Sequence, residues 1–168
     1  FKLQTFIYMP ANGIVQGMRP IIGYNYGAGE SSRVKSTIRY SLLTAAGLML
    51  TGTILALALP KQILALFDAD AALMSAGVTA LRIISLGFLV SSVGLIYSGV
   101  FEAIGNGRNS LIISLLRQFV ITIPLSFILT RFFGPTGVWI SFPVGELCAS
   151  AAAFCLLKKY QNGAFSPL

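Results

Sequence analysis

The sequence predicts an all-α, polytopic transmembrane helix bundle, and three observations carry that prediction. Of its 168 residues, 55% are hydrophobic and only 10% are charged, whereas a water-soluble domain of this size carries about 25% charged residues. The mean hydropathy is +0.81. Five predominantly apolar stretches approach or exceed the ~20 residues that a helix needs to cross a bilayer. No segment alternates with period two for long enough to suggest a barrel.

The five stretches are 3–23, 40–60, 83–103, 111–130 and 135–157. The first is the most polar, holding Asn12, Gln16 and Arg19. The second contains no charge, and the apolar pattern of the third begins early, at Ala71. The fourth contains Arg117 and Pro124, and the fifth Pro143 and Glu146. Connections are short: a basic loop with Arg33, Lys35 and Arg39, a link from Lys61 to Ala69, a break at Gly105–Asn109, and a tight turn from Gly134 to Gly137. Asp70 is placed to cap the helix that starts at Ala71. Asp68 and Asp70 read as capping and loop residues, since no third ligand lies nearby to make a metal site.

Composition also excludes functions. The chain has no histidine, which removes a Ser–His–Asp triad and most metal centres. A membrane enzyme would need a nucleophile or metal cluster, yet the five acids are scattered over different segments. The net charge of +7 forms no basic stripe interleaved with aromatics, so nucleic acid is not an expected partner. Cys148 and Cys155 lie about 10 Å apart along one helix, too far for a disulfide. The chain begins at Phe1, and the expectation is a piece of a longer protein.

Basic residues orient the spans. Arg33, Lys35, Arg39, Arg108, Lys158 and Lys159 collect on one side; Lys61, Arg131 and Arg82 are left for the other. Positive charge marks the cytoplasmic side, so the C-terminus is expected inside.

Within the spans, polar residues form stripes. Asn12, Gln16, Arg19 and Gly23 follow steps of four, three and four, which places them on one helix face. Polar groups in hydrocarbon are costly, so this face is expected to line a bundle interior or a wet cavity, or else to hold helices together. Pro20 frees the carbonyl of Gln16, and Gly13 and Gly17 form a GxxxG pair suited to close packing. A second stripe is Gly87, Ser91, Gly94, Ser98 and Glu102, with Tyr97 beside its inner end. Ser91, Ser98 and Tyr97 are candidates for lining a cavity, the alternative being tight packing. Glu102, near the cytoplasmic surface, reads as a solvated or arginine-paired carboxylate, with ion coupling as the other reading. Arg117 is expected to snorkel toward the cytoplasm. Pro124 and Pro143 should loosen their helices. Trp139 and Tyr160 fall near the ends of the last span, as interface aromatics do. Glu146 lies about 18 Å of helix from Gly134 and about 17 Å from Leu157, near the bilayer midplane, where a charge is expensive. That makes it the chief candidate for proton or ion coupling, the alternative being an acid bonded to a neighbouring helix. Gly23 to Gly29 reads as a structural hinge, with Asn25 bonding backbone and Gly27 intolerant of a side chain.

These residues resemble a known family. Gly13-x-x-Gln16-Gly17-x-x-Pro20-x-x-Gly23-Tyr24-Asn25-Tyr26-Gly27-Ala28-Gly29, followed by Arg33, is similar to the eighth helix and following loop of MATE (multidrug and toxic compound extrusion) transporters. The likeness is greatest to the bacterial branch of MepA-like and DinF-like exporters. Phe101-Glu102-Ala103-Ile104-Gly105-Asn106-Gly107 resembles the end of helix ten, with Glu102 standing where that branch usually carries Gln. Leu115-Leu116-Arg117-Gln118 with Pro124, then Gly134-x-x-Gly137-Val138-Trp139, resemble helix eleven and the turn into helix twelve. Glu146 falls where the family often has an acid after a proline.

The resemblance implies an antiporter of twelve helices in two lobes, exporting small organic, often cationic, compounds in exchange for Na+ or H+. It implies a multi-pass protein of the bacterial inner membrane, with the bilayer as its surroundings and no cofactor beyond the coupling ion. This chain would supply helices eight to twelve and would need the missing N-terminal lobe and helix seven to transport. Rival readings are a lipid or polysaccharide flippase of the related superfamily and a non-transporting assembly subunit.

Overall fold

The computed structural model describes residues 2–66 and 71–164, and every regular element among them is helical. The order is α1 (Lys2–Gly27), α2 (Ser31–Ala58), α3 (Pro60–Ala65), α4 (Ala71–Ser85), α5 (Phe88–Ala103), α6 (Gly107–Leu115), a π-helical segment (Leu116–Thr122), α7 (Ile123–Phe133) and α8 (Pro135–Ala164). Asp68 and Asp70, expected as capping residues, lie outside the described residues.

The expected five spans need correction. Among the described residues three helical stretches are both long and apolar enough to cross a membrane: Ser31–Ala58, Gly107–Phe133 and Pro135–Tyr160. A fourth arises if α4 and α5, bent by 53° at their junction, count as one broken span. Helix α1 is long enough, at 26 residues, but does not qualify, because its polar stripe dilutes its apolar content. Arg33, Lys35 and Arg39, expected in a loop, form the first turns of α2. Their straight side chains favour helix, so the helix runs past the end of the apolar stretch. The link after α2 likewise contains a helix, α3, started by Pro60 at its first turn.

Helix α5 is the centre of the bundle and packs against α1, α2, α6 and α8. Its Ile96, Val100 and Phe101 meet Val15, Met18 and Ile22 of α1, Val34 and Ile38 of α2, and Ala153 and Leu157 of α8 in one core. Small residues on α5 set the spacing. A Cβ on Gly99 would lie 2.6 Å from Val15 Cγ1, and one on Gly94 would lie 3.3 Å from Ser150 Oγ. The small stripe is therefore packed against neighbours over most of its length. Ser91 is fully buried and donates to the carbonyl of Phe88 at 2.7 Å, so it needs no outside partner. Tyr97 is buried beside Phe154, with ring centroids 6.4 Å apart. Gly87 is the cap of α5 at the bend, where a Cβ would come within 3.0 Å of Pro143.

Other expectations on glycine also change. Gly13 and Gly17 are exposed, and a methyl group added to either would meet nothing within 4 Å, so the GxxxG pair seats no helix among the described residues. Pro10 and Pro20 both lie inside α1 without ending it. The hinge expected from Gly23 to Gly29 is shorter. Gly23 and Gly27 are helical, and Asn25 donates from Nδ2 to the carbonyl of Ile21 within the same helix at 2.8 Å. Gly29 alone in this stretch has a positive φ, 75°. Gly27→Val should therefore leave membrane abundance within twofold of wild type. Gly29→Val should cost about 1–2 kcal/mol for a side chain held in the left-handed region, measured as a lower melting temperature of the purified protein. Near their C-terminal ends, α1 and α8 are tied by Tyr26 and Tyr160, whose hydroxyls are 2.9 Å apart.

Candidate functional site

The polar stripe of α1 borders three adjoining cavities. The first, about 510 Å³, is lined by Met9, Asn12, Gly13, Val15, Gln16 and Arg19. The second, about 350 Å³, lies between α1, α5 and the α6–π junction and takes in Arg19, Ser98, Glu102, Ser114, Arg117 and Gln118. The third, about 290 Å³, runs between α1, the π segment and α8 and takes in Tyr8, Arg117, Thr122, Phe142 and Glu146. Asn12 lines all three, so they adjoin along α1 and are taken together as a groove.

Two acid–base pairs border the groove. Toward the end of α5, the Arg19 guanidinium forms an ion pair with the Glu102 carboxylate. Ser110 Oγ donates to Glu102 Oε1 at 2.7 Å. With its single proton so used, Ser110 accepts from Ser98 Oγ, also 2.7 Å away. Glu102 thus takes the arginine-paired form of its expected readings, and it links α1, α5 and α6. Both side chains are partly open, 42% and 38% exposed, so the pair is screened and contributes little stability.

The second pair lies deeper. Arg117 Nη1 is 3.8 Å from Glu146 Oε1, and the side chains are only 18% and 10% exposed. Tyr8 donates its hydroxyl toward the same oxygen at 3.5 Å. Glu146 Oε2, Arg117 Nε and Arg19 Nε are buried without a hydrogen-bond partner. The expectation that Arg117 snorkels to the cytoplasm is corrected: it turns inward to Glu146. Arg117 stands on the π segment. Pro124, lacking an N–H, follows directly on it at the start of α7, and Thr122 Oγ1 donates to the carbonyl of Arg117. Gly145 of α8 lets this segment approach, since a Cβ there would collide with the Thr122 hydroxyl. Pro143 sits inside α8, three residues before Glu146.

The structure brings Asn12, Gln16, Arg19, Ser98, Glu102 and Glu146 to one groove. Ser91 and Tyr97 are instead packed in the core and line none of these cavities. Arg117, Gln118, Ser114, Thr122, Phe142 and Tyr8 are among the groove residues that sequence reasoning missed. One signal pointed to Arg117. The spans hold two acids, Glu102 and Glu146, and a basic residue inside each of two other spans, Arg19 and Arg117; ions inside membranes pair with one another. Among the described residues no three His, Cys, Asp or Glu side chains gather where a metal ion could be held. Chemically, the groove offers carboxylates, guanidinium groups and amides beside apolar side chains.

Comparisons with known proteins agree with this architecture. The chain is 28% identical over 153 residues to the multidrug export protein MepA of Staphylococcus saprophyticus, covering 90% of this chain and 34% of MepA. A MepA of Staphylococcus aureus is 30% identical over the same length, with the same coverage. The solved structure of the MATE multidrug transporter DinF-BH superimposes with a TM-score of 0.87 at 33% identity, covering 98% of this chain and 37% of that one. An inward-facing MATE transporter of the MOP superfamily gives a TM-score of 0.91 at 20% identity, covering 98% of this chain and 38% of that one, which is a likeness of fold. The chain thus spans about a third of the length of these relatives. Residues 1–128 match the MatE family, and the chain belongs to that family of integral, multi-pass membrane transporters.

Proposed function

We propose that this chain is the helix-eight-to-twelve part of a secondary active multidrug efflux antiporter, which exports organic, often cationic, compounds in exchange for Na+ or H+. The observation that supports this reading best is the groove of adjoining cavities along α1 with an acid–base pair on each side of Asn12. Charged groups at such depth are costly and make sense where water and ions must pass. In the whole transporter the exposed polar face of α1, with Asn12 and Gln16, meets the first lobe and helix seven across a water-filled cavity. The protein acts in the bacterial inner membrane, its C-terminus cytoplasmic, and carries out no covalent chemistry. Small organic cations occupy the groove, and Glu146 takes part in coupling their export to the ion.

The test is export of ethidium by the full-length transporter in cells, followed by fluorescence. Glu146→Gln keeps the shape and hydrogen bonding of the side chain and removes its charge. Wild type should export ethidium, and the Gln variant should lose at least tenfold in initial rate and the dependence of rate on external pH. Wild-type rate and unchanged pH dependence in the Gln variant would remove Glu146 from coupling. Absence of export by wild type in the presence of either ion gradient would refute the reading as a whole.

A further inference from the structure

Arg117 stands on the one π-helical stretch among the described residues, and it is poorly bonded where it stands. A guanidinium can grip a carboxylate through two parallel N–H bonds. Here the Arg117–Glu146 contact is a single one at 3.8 Å, beyond hydrogen-bond length. Arg117 Nε and Glu146 Oε2 are both buried and unpartnered. Glu146 is nine-tenths buried, and an approximately 290 Å³ cavity opens onto it between Tyr8, Asn12 and Phe142. A buried carboxylate with a free oxygen, an open cavity and a loosely placed cation describes a seat that is filled but not fitted.

The backbone beneath Arg117 has a second register available. Π-helical bulges carry one residue more per turn than the α-helix around them. Closing such a bulge turns the preceding helix by about 100° relative to the following one. The Thr122 hydroxyl and the absent side chain of Gly145 hold the bulge open. Arg117 also has somewhere to go, because it borders the neighbouring cavity that contains Glu102, Ser114 and Gln118.

We propose that Arg117 is a tethered counter-cation that occupies Glu146 in the empty groove, and that an organic monocation entering the cavity displaces it, with the π segment closing toward α-helical register as Arg117 leaves. This rests on the export reading above and adds how the groove registers its cargo. The buried carboxylate keeps a positive partner in both states, and the released Arg117 faces the more open cavity, where it shares Glu102 with Arg19. A ligand shifts helix register only by its differential affinity for the two states, and competition for one carboxylate supplies that difference.

The test uses the full-length transporter in lipid nanodiscs and tetraphenylphosphonium, a permanent monocation without a titratable proton, with binding measured by calorimetry. Arg117→Gln removes the competitor and should tighten binding at least fivefold. Glu146→Gln should weaken it at least tenfold. The double variant should bind like Glu146→Gln alone, because the gain from losing Arg117 requires the carboxylate. Arg117→Met repeats the measurement with a second neutral side chain. If wild type binds the cation and both neutral variants bind it equally or more weakly, the tethered-cation proposal is overturned and the export reading stands. The proposal is equally overturned if neither neutral variant folds, since Arg117 is then a structural cation, or if the gain persists without Glu146. If wild type and all variants fail to bind, the export reading falls, and this proposal with it.

Discussion

Gly137→Val should remove nearly all folded protein from the membrane. Gly137 lies in the first turn of α8, where the chain has just reversed at Gly134 with φ 56°. A Cβ built on it would overlap the carbonyl carbon and oxygen of Leu129 and the amide nitrogen of Thr130. Those are backbone atoms of α7, and no rotamer change moves them aside. The two helices are closely joined here, with Ser126 and Ser141 hydroxyls 2.7 Å apart one turn along, so separating them breaks further contacts. Overpacking of a well-filled site costs about 1–3 kcal/mol, and an obstruction made wholly of backbone stands at the top of that range. Gly13→Val is the control, because among the described residues a Cβ at that position would have no neighbour within 4 Å. Fluorescence-detected size-exclusion of a tagged full-length transporter should show a monodisperse peak for the Gly13 variant and almost none for Gly137→Val. Equal peaks would mean that α7 and α8 are not packed as described.

How much of this was legible in the residues follows from where the information resides. A hydropathy pattern registers the apolar part of a helix, so the fold class was visible while the ends were not. Helix α2 starts at Ser31, well before the expected Tyr40, because its basic turn is as helical as its apolar one. Stripe spacing placed Asn12, Gln16 and Arg19 on one face, and the groove lies along it. Spacing could not separate packing from an open volume for the second stripe. Ser91 is sealed in the core and Gly94 meets Ser150 of α8, whereas Ser98 reaches the cavity. That difference depends on what the opposite helix presents.

The same limit explains Arg117. Pro124 announced a loosened helix, but the register adopted there depends on Thr122 fitting against Gly145, which belongs to a different helix. Pairing of Arg19 with Glu102 and of Arg117 with Glu146 is likewise a tertiary property. Glycine spacing misled in the opposite direction: the GxxxG pair is exposed, while Gly99, Gly137 and Gly145, which fit no such pair, make the close approaches.

If the groove serves transport, the polar face of α1 must open on water inside a membrane protein, and thiol accessibility measures this directly. Cys148 and Cys155 are exposed and must first be replaced by alanine. Single cysteines at Asn12 and Gln16, which are exposed on the groove, are then compared with cysteines at Met18 and Ile22, which are buried in the core. In the full-length transporter, a membrane-impermeant maleimide should label Asn12→Cys and Gln16→Cys at least tenfold faster than Met18→Cys and Ile22→Cys. Equal rates, or faster labelling at Met18 and Ile22, would contradict a water-facing groove.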